Sequence, residues 1–317
     1  MPCALVAWEP QAASRRVAAD FGRTSLVGSL AMSLGHHVEQ VVERHALEGA
    51  ERWNDAIVVA RRGRAGVVLL DRPESGNAHN RAMINALGRA WLHFKEDSEV
   101  RVVVIGSTTD RNFCTGIDLK EVAGAGGFGG LAEMTGFGPV LGSGQTHRDA
   151  GLRKPVLSAV EGRVIGGGLH WVAEADIVVA GENAVFRDTH VERGFVGNRE
   201  NLDLALKAGL GAALYLSLVG GQVELDASRA LTLGLVQEVV PAGQALARAF
   251  ELAEIVARNS PTAMARQLET LWNVTRMHHE EAVDYGWNLL LWQQGHPDAT
   301  EGAVAFAEKR EPNWQPI

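Results

Sequence analysis

The chain has 317 residues, 46% of them hydrophobic and 21% charged, with a formal net charge of −8. That composition fits a soluble globular protein of one large or two modest domains, and its acidic balance disfavours a nucleic-acid partner, which needs a basic face. No apolar run reaches membrane-spanning length, and two cysteines, Cys3 and Cys114, cannot build a disulfide framework, so a reducing, cytoplasmic setting is expected.

Residues 1–55 read as a partly helical N-terminal extension. The paired Arg15 and Arg16 precede a mildly apolar segment, but Asp20 and Arg23 interrupt it and no small-residue cleavage site follows, so an export signal is not expected. The spacing of Val38, Val41, Val42 and Leu47 predicts a helix.

From Ala56 the texture changes. "AIVVARRG" and "GVVLLD" flank a glycine turn and predict a hairpin. "NRAMINALGRAWLHFKED" predicts an amphipathic helix with Met83, Leu87, Trp91 and Phe94 on one face. "RVVVIGS", "KPVLSAVEG" and "DIVVAG" predict buried strands, and residues 124–144 read as a glycine-dense loop. Strand, helix and strand at this rhythm predict an α/β core over 56–243, with a helical region over 244–317.

Two glycine turns carry the chemistry. "CTGIDL" and "IGGGLH" each set glycine between a strand and a helix start, where backbone N–H groups are unpaired and carry partial positive charge. Two such turns facing each other would hold one oxyanion. The dinucleotide and phosphate-loop glycine patterns are absent, as are the H-E-x-x-H and C-x-x-C spacings of metal sites, so no metal is expected.

From about Ala56 to Trp314 the chain resembles the crotonase (enoyl-CoA hydratase/isomerase) superfamily. The matching segments, in order, are "LLDRPESGNAHNRAMINAL", "NFCTGIDLKEV", "KPVLSAVEGRVIGGGLHWVAEADIVVAGENAVF", "LTLGLVQEVVP" and "DATEGAVAFAEKREPNW". The resemblance implies a spiral of ββα units with a helical C-terminal trimerisation region, assembled as a trimer or a dimer of trimers. It implies an acyl-CoA substrate, with CoA carried as part of that substrate and no separate cofactor. Thr115 and Gly167 would supply the two backbone N–H groups that hold the enolate oxygen. CoA and substrate contacts would fall at Ala78, Gly116, Asp118, Lys120, Gly166 and Lys309, the last from a neighbouring subunit.

One departure is central. Where hydratases of this family carry two glutamates, this chain has His170 and His190, twenty positions apart. Replacement of both acids by the same residue type favours a working pair over two fillers, since a neutral imidazole both donates and accepts. His190 is expected as general base or water activator and His170 as the second acid–base group. The chain also resembles the oxocamphor hydrolase branch in having histidine at 190, but Arg199 stands where that branch has aspartate. In the chlorobenzoyl-CoA dehalogenase branch a nucleophilic aspartate falls at the Asn198 position. Asn198, Arg199 and Glu200, with Glu192 and Asp188 nearby, could orient His190 as the third member of a relay. Three functions remain open: hydratase or lyase chemistry on an acyl-CoA, hydrolytic C–C cleavage of a β-dicarbonyl compound, and an inactive binding subunit.

Overall fold

The computed structural model describes residues 35–127 and 145–316. The paired Arg15 and Arg16 and most of the glycine-dense loop therefore lie outside the described residues. Among those described, no helix is long and apolar enough to cross a membrane.

The strands are β1 (Glu48–Trp53), β2 (Ile57–Arg62), β3 (Ala65–Leu70), β4 (Val102–Ser107), β5 (Asn112–Cys114), β6 (Val156–Val160), β7 (Arg163–Ile165), β8 (Ile177–Gly181), β9 (Val185–Arg187), β10 (Leu225–Asp226) and β11 (Glu238–Val240). The larger sheet runs β1-β2-β3-β4-β6-β8-β11, and a smaller one runs β10-β9-β7-β5. β1, β2 and β3 pair antiparallel; from β3 onward the larger sheet is parallel.

Both faces of the larger sheet are covered, which is why its strands read as continuous apolar runs. Along β2, Ile57 and Val59 enter one core cluster while Val58 and Ala60 enter the other. The first cluster receives Met83, Leu87, Trp91 and Phe94 of the helix Arg81–Glu96. Asn80 starts that helix by accepting a hydrogen bond from Met83 N at 2.9 Å. The second cluster receives Leu246 and Phe250 of the helix Ala245–Ala257. Three further helices follow, Pro261–Asn273, His279–Gln294 and Pro297–Glu308.

Residues 35–55 of the expected N-terminal extension are described. Among the described residues the first helix is His36–Arg44, and Val38 and Leu47 pack into the second core cluster. Ala46 takes a left-handed conformation at φ 50°, and the chain turns into β1, the edge strand of the larger sheet. Asn54 and Asp55, at φ 52° and 51°, make the tight turn that joins β1 to β2. Consecutive positive φ values at an Asn-Asp pair match the right-handed twist of a hairpin.

Candidate active site

The two glycine turns are pressed together. A Cβ on Gly116, whose φ is +87°, would lie 2.8 Å from Ile165 O and 3.3 Å from Gly167 N. A Cβ on Gly168 would lie 2.5 Å from Cys114 O. Only glycine lets β5 and the turn after β7 approach so closely.

The backbone donors differ from the expectation at one position. Thr115 N–H donates to Gly76 O at 3.1 Å, so that amide is already satisfied. Gly116 O accepts from His79 N at 2.8 Å, and Asp118 N donates to His79 O at 3.0 Å. These bonds leave Ile117 N–H, on the opposite edge of the same turn, without a backbone partner among the described residues. Gly167 N–H is likewise free of a backbone partner there. The two turns thus leave the amides of Ile117 and Gly167, and not that of Thr115, without a backbone partner among the described residues.

Beside these turns a chain of alternating carboxylates and imidazoles is built. His170 opens the short helix His170–Ala173, and Glu174 follows one turn later. Glu174 Oε1 accepts from His170 Nδ1 at 2.8 Å. On the turn after β9, Asp188 Oδ1 accepts from His190 Nδ1 at 2.6 Å. Asp188 is fully buried and is held in turn by Asn201 Nδ2 at 2.8 Å and by the His190 backbone N–H at 3.0 Å. With each Nδ1 engaged, each Nε2 points onward, and both meet the same group. Glu200 Oε2 lies 3.2 Å from His170 Nε2, and Glu200 Oε1 lies 3.3 Å from His190 Nε2. The order is Glu174, His170, Glu200, His190, Asp188.

Electrostatics follow from this geometry. Burial works against a charged ring at His170, but the hydrogen bond to Glu174 and the charges of Glu200 and Glu174 outweigh it and raise the pKa above 6.5. His190 is raised in the same way: burial opposes the charge, and Asp188 and Glu200 override it. Burial alone would raise Asp188 and Glu174, yet their hydrogen bonds to the two rings hold both below the ordinary carboxylate values. Arg199 adds a positive charge, with Nη1 3.5 Å from Glu174 Oε2 and 3.1 Å from Asp149 Oδ1.

A third imidazole, His79, adjoins the glycine triplet. A Cβ on Gly167 would lie 2.6 Å from His79 Cε1 and 3.2 Å from its Nε2, while a Cβ on Gly166 would lie 3.6 Å from His190 Cε1. Burial, together with His170, His190 and Arg72, pushes His79 down to about 3, so it is neutral at any physiological pH.

Of the expected site residues, His170, His190, Glu200, Gly116, Gly166 and Gly167 converge. Asn198 does not: its side chain is exposed at the start of the helix Arg199–Ala208, and only its backbone carbonyl is engaged. Ala78 and Asp118 are committed internally rather than open to a ligand. Ala78 O accepts from Arg72 Nη1, and Asp118 pairs with Arg72 Nη2 at 3.1 Å while capping the helix Leu119–Gly124. Lys120 and Lys309 are exposed, and neither side chain has an ion pair among the described residues. Glu174, His79, Asn201 and Ile117 were missed in the sequence. Glu174 alone had a local signal, lying four residues after His170 on a helix.

The fold is a mixed α/β core in which two glycine turns present unpaired backbone N–H groups beside a buried chain of carboxylates and imidazoles. The sequence model described as enoyl-CoA hydratase/isomerase matches residues 60–316, and the chain belongs to that family. It is 31% identical over 273 residues to the carnitinyl-CoA dehydratase of Proteus mirabilis, covering 80% of this chain and 96% of that one. It is 34% identical over 257 residues to the mevalonyl-coenzyme A hydratase of Aspergillus fumigatus, covering 79% and 91%. Among solved structures, an enoyl-CoA hydratase/isomerase from Mycobacterium paratuberculosis superposes with a TM-score of 0.73 at 32% identity, covering 82% of this chain and 98% of that one.

Proposed function

We propose that this chain adds or removes water next to the carbonyl of an acyl-CoA thioester, using a carboxylate supplied from a new position. The relatives that support an acyl-CoA substrate are a dehydratase and a hydratase of CoA thioesters. The observation that carries the reaction is Glu200, whose two oxygens are shared between His170 Nε2 and His190 Nε2 at 3.2 and 3.3 Å. The family's two catalytic glutamates are absent, and a third acid stands between their replacements.

The division of labour follows from the charges. The thioester oxygen accepts the N–H groups of Ile117 and Gly167, which lowers the energy of the enolate as it forms. His190, oriented by Asp188, takes the proton from water through Nε2, and Glu200 steadies the imidazolium that results. The hydroxide adds to the β-carbon. His170, oriented by Glu174 and charged at the outset, returns a proton to the α-carbon of the enolate. Elimination runs the same steps backwards. The hydrolytic alternative has less support: Arg199, at the position where the oxocamphor branch has aspartate, pairs with Asp149 and Glu174 and not with His190.

The test is turnover of enoyl- and 3-hydroxyacyl-CoA thioesters, followed by the absorbance of the conjugated thioester. Glu200→Gln and His190→Ala should each cost on the order of 10² to 10⁴ in turnover with thioester affinity roughly unchanged, because proton transfer belongs to the transition state. Near-full activity in Glu200→Gln, or thioester binding without any turnover in the wild type, would sink the proposal.

A further inference from the structure

His79 is a group that the mechanism above does not use. It is 3% exposed, its ring stands edge-on to Trp171 at 5.4 Å between centroids, and its Cε1–Nε2 edge faces the open side of Gly167. Its Nε2 makes no hydrogen bond among the described residues, whereas Nδ1 lies 3.8 Å from Cys114 Sγ. Which ring nitrogen carries the proton therefore decides what Nε2 can do.

Cys114 settles the tautomer. Burial pushes its thiol up to about 12, so the sulfur keeps its proton. Cys114 Sγ lies 3.1 Å from Asn77 O, and a carbonyl can only accept, so the S–H points there. Were the thiol proton directed at His79 instead, two lone pairs would face each other at that 3.1 Å contact. With its proton committed to Asn77, the sulfur can only accept from His79. The neutral ring then carries its proton on Nδ1, and Nε2 is left as a bare acceptor beside one of the two oxyanion donors.

A ring held near 3 is too weak a base to take a proton from substrate at neutral pH. It cannot bind a carboxylate as a cation either. What it can do is accept a hydrogen bond from a neutral donor. An acceptor covered by a bound acyl chain discriminates strongly, because a ligand without the donor leaves it desolvated and unpaired. We propose that His79 Nε2 reads a hydroxyl on the acyl chain, so that the site takes hydroxyacyl thioesters in preference to plain alkyl ones. This rests on the acyl-CoA assignment above and narrows it to a substrate class.

The experiment compares the affinities of butyryl-, 3-hydroxybutyryl- and 4-hydroxybutyryl-CoA by calorimetry, for the wild type, His79→Leu and His79→Gln. The wild type should bind at least one hydroxylated thioester about tenfold or more tighter than butyryl-CoA. His79→Leu should abolish that preference while butyryl-CoA binds as well as before, and His79→Gln, which keeps an acceptor, should retain part of it. Nitrogen-15 NMR of the wild type should show the Nδ1–H tautomer at His79, which leaves Nε2 free to accept. Equal affinity for all three thioesters in the wild type, a preference that survives His79→Leu, or the Nε2–H tautomer would each overturn the assignment of His79 and leave the acyl-CoA reading standing. Failure of all three thioesters to bind would overturn both.

Discussion

His190 Nε2 and Glu200 Oε1 stand 3.3 Å apart, and the second oxygen of the same carboxylate faces His170 Nε2 at 3.2 Å. One acid therefore couples two imidazoles that each have a carboxylate of their own behind them. In a hydration reaction one ring must begin neutral and the other charged, and a shared carboxylate lets the two exchange those states.

That coupling sets the pH dependence of turnover. His190 acts as base only when neutral, so the rate should rise as pH climbs through its pKa. His170 acts as acid only when charged, so the rate should fall as pH climbs through the pKa of the second ring. Both rings are raised above 6.5, so kcat/KM should be bell-shaped with both limbs above that value. Asp188→Asn removes the main group that raises His190, and its rising limb should move to lower pH. A profile unchanged in Asp188→Asn would remove His190 from the role of base.

The same pairs should shape stability. His190 and His170 are raised in the folded state, so their contribution is complete below 6.5 and is lost as pH rises through the folded values. Asp188 and Glu174 are lowered from 3.8 and 4.5, so theirs is complete above those values and is lost as pH falls through the folded ones. The Tm gap between the wild type and an Asp188→Asn/His190→Gln double variant should be widest between about pH 4.5 and 6.5 and should narrow at pH 9. A gap independent of pH would mean that the dyad's ionisation adds nothing to the fold.

The helix His279–Gln294 leaves Trp287 58%, Leu290 43%, Leu291 59% and Trp292 49% exposed, with Leu289 half-buried beside them. On the helix Leu210–Val219, Leu210 and Leu218 are 66% and 69% exposed. Apolar surface of this extent on two helices is the mark of an interface. The protein should self-associate at micromolar concentration by light scattering, and Trp287→Glu with Leu291→Glu should shift it toward monomer. A monomeric wild type would refute this.

The sequence by itself determined the local elements and the chemistry they present. Short apolar runs flanking a glycine turn predicted β2 and β3, helical spacing predicted the helix Arg81–Glu96, and glycines between strand and helix marked both turns. His170 and His190 were legible because the family resemblance places two glutamates at their positions. Their partners were less so. Asp188 and Glu174 lie two and four residues from their rings, within reach of local geometry. Glu200 is one of three polar residues in a row, and nothing local says which one turns inward. The register of the helix Arg199–Ala208 decides it, burying Glu200 between the rings and leaving Asn198 in solvent. The Thr115 amide is consumed by a distant carbonyl, Gly76 O, and Ile117 N–H is left as the amide of that turn without a backbone partner among the described residues. His79 enters the site only when its segment bridges to the turn at Ile117, a contact between residues far apart in the chain. Hydrogen bonds and burial across such separations depend on how packed elements meet, and periodicity along a single segment carries no information about that.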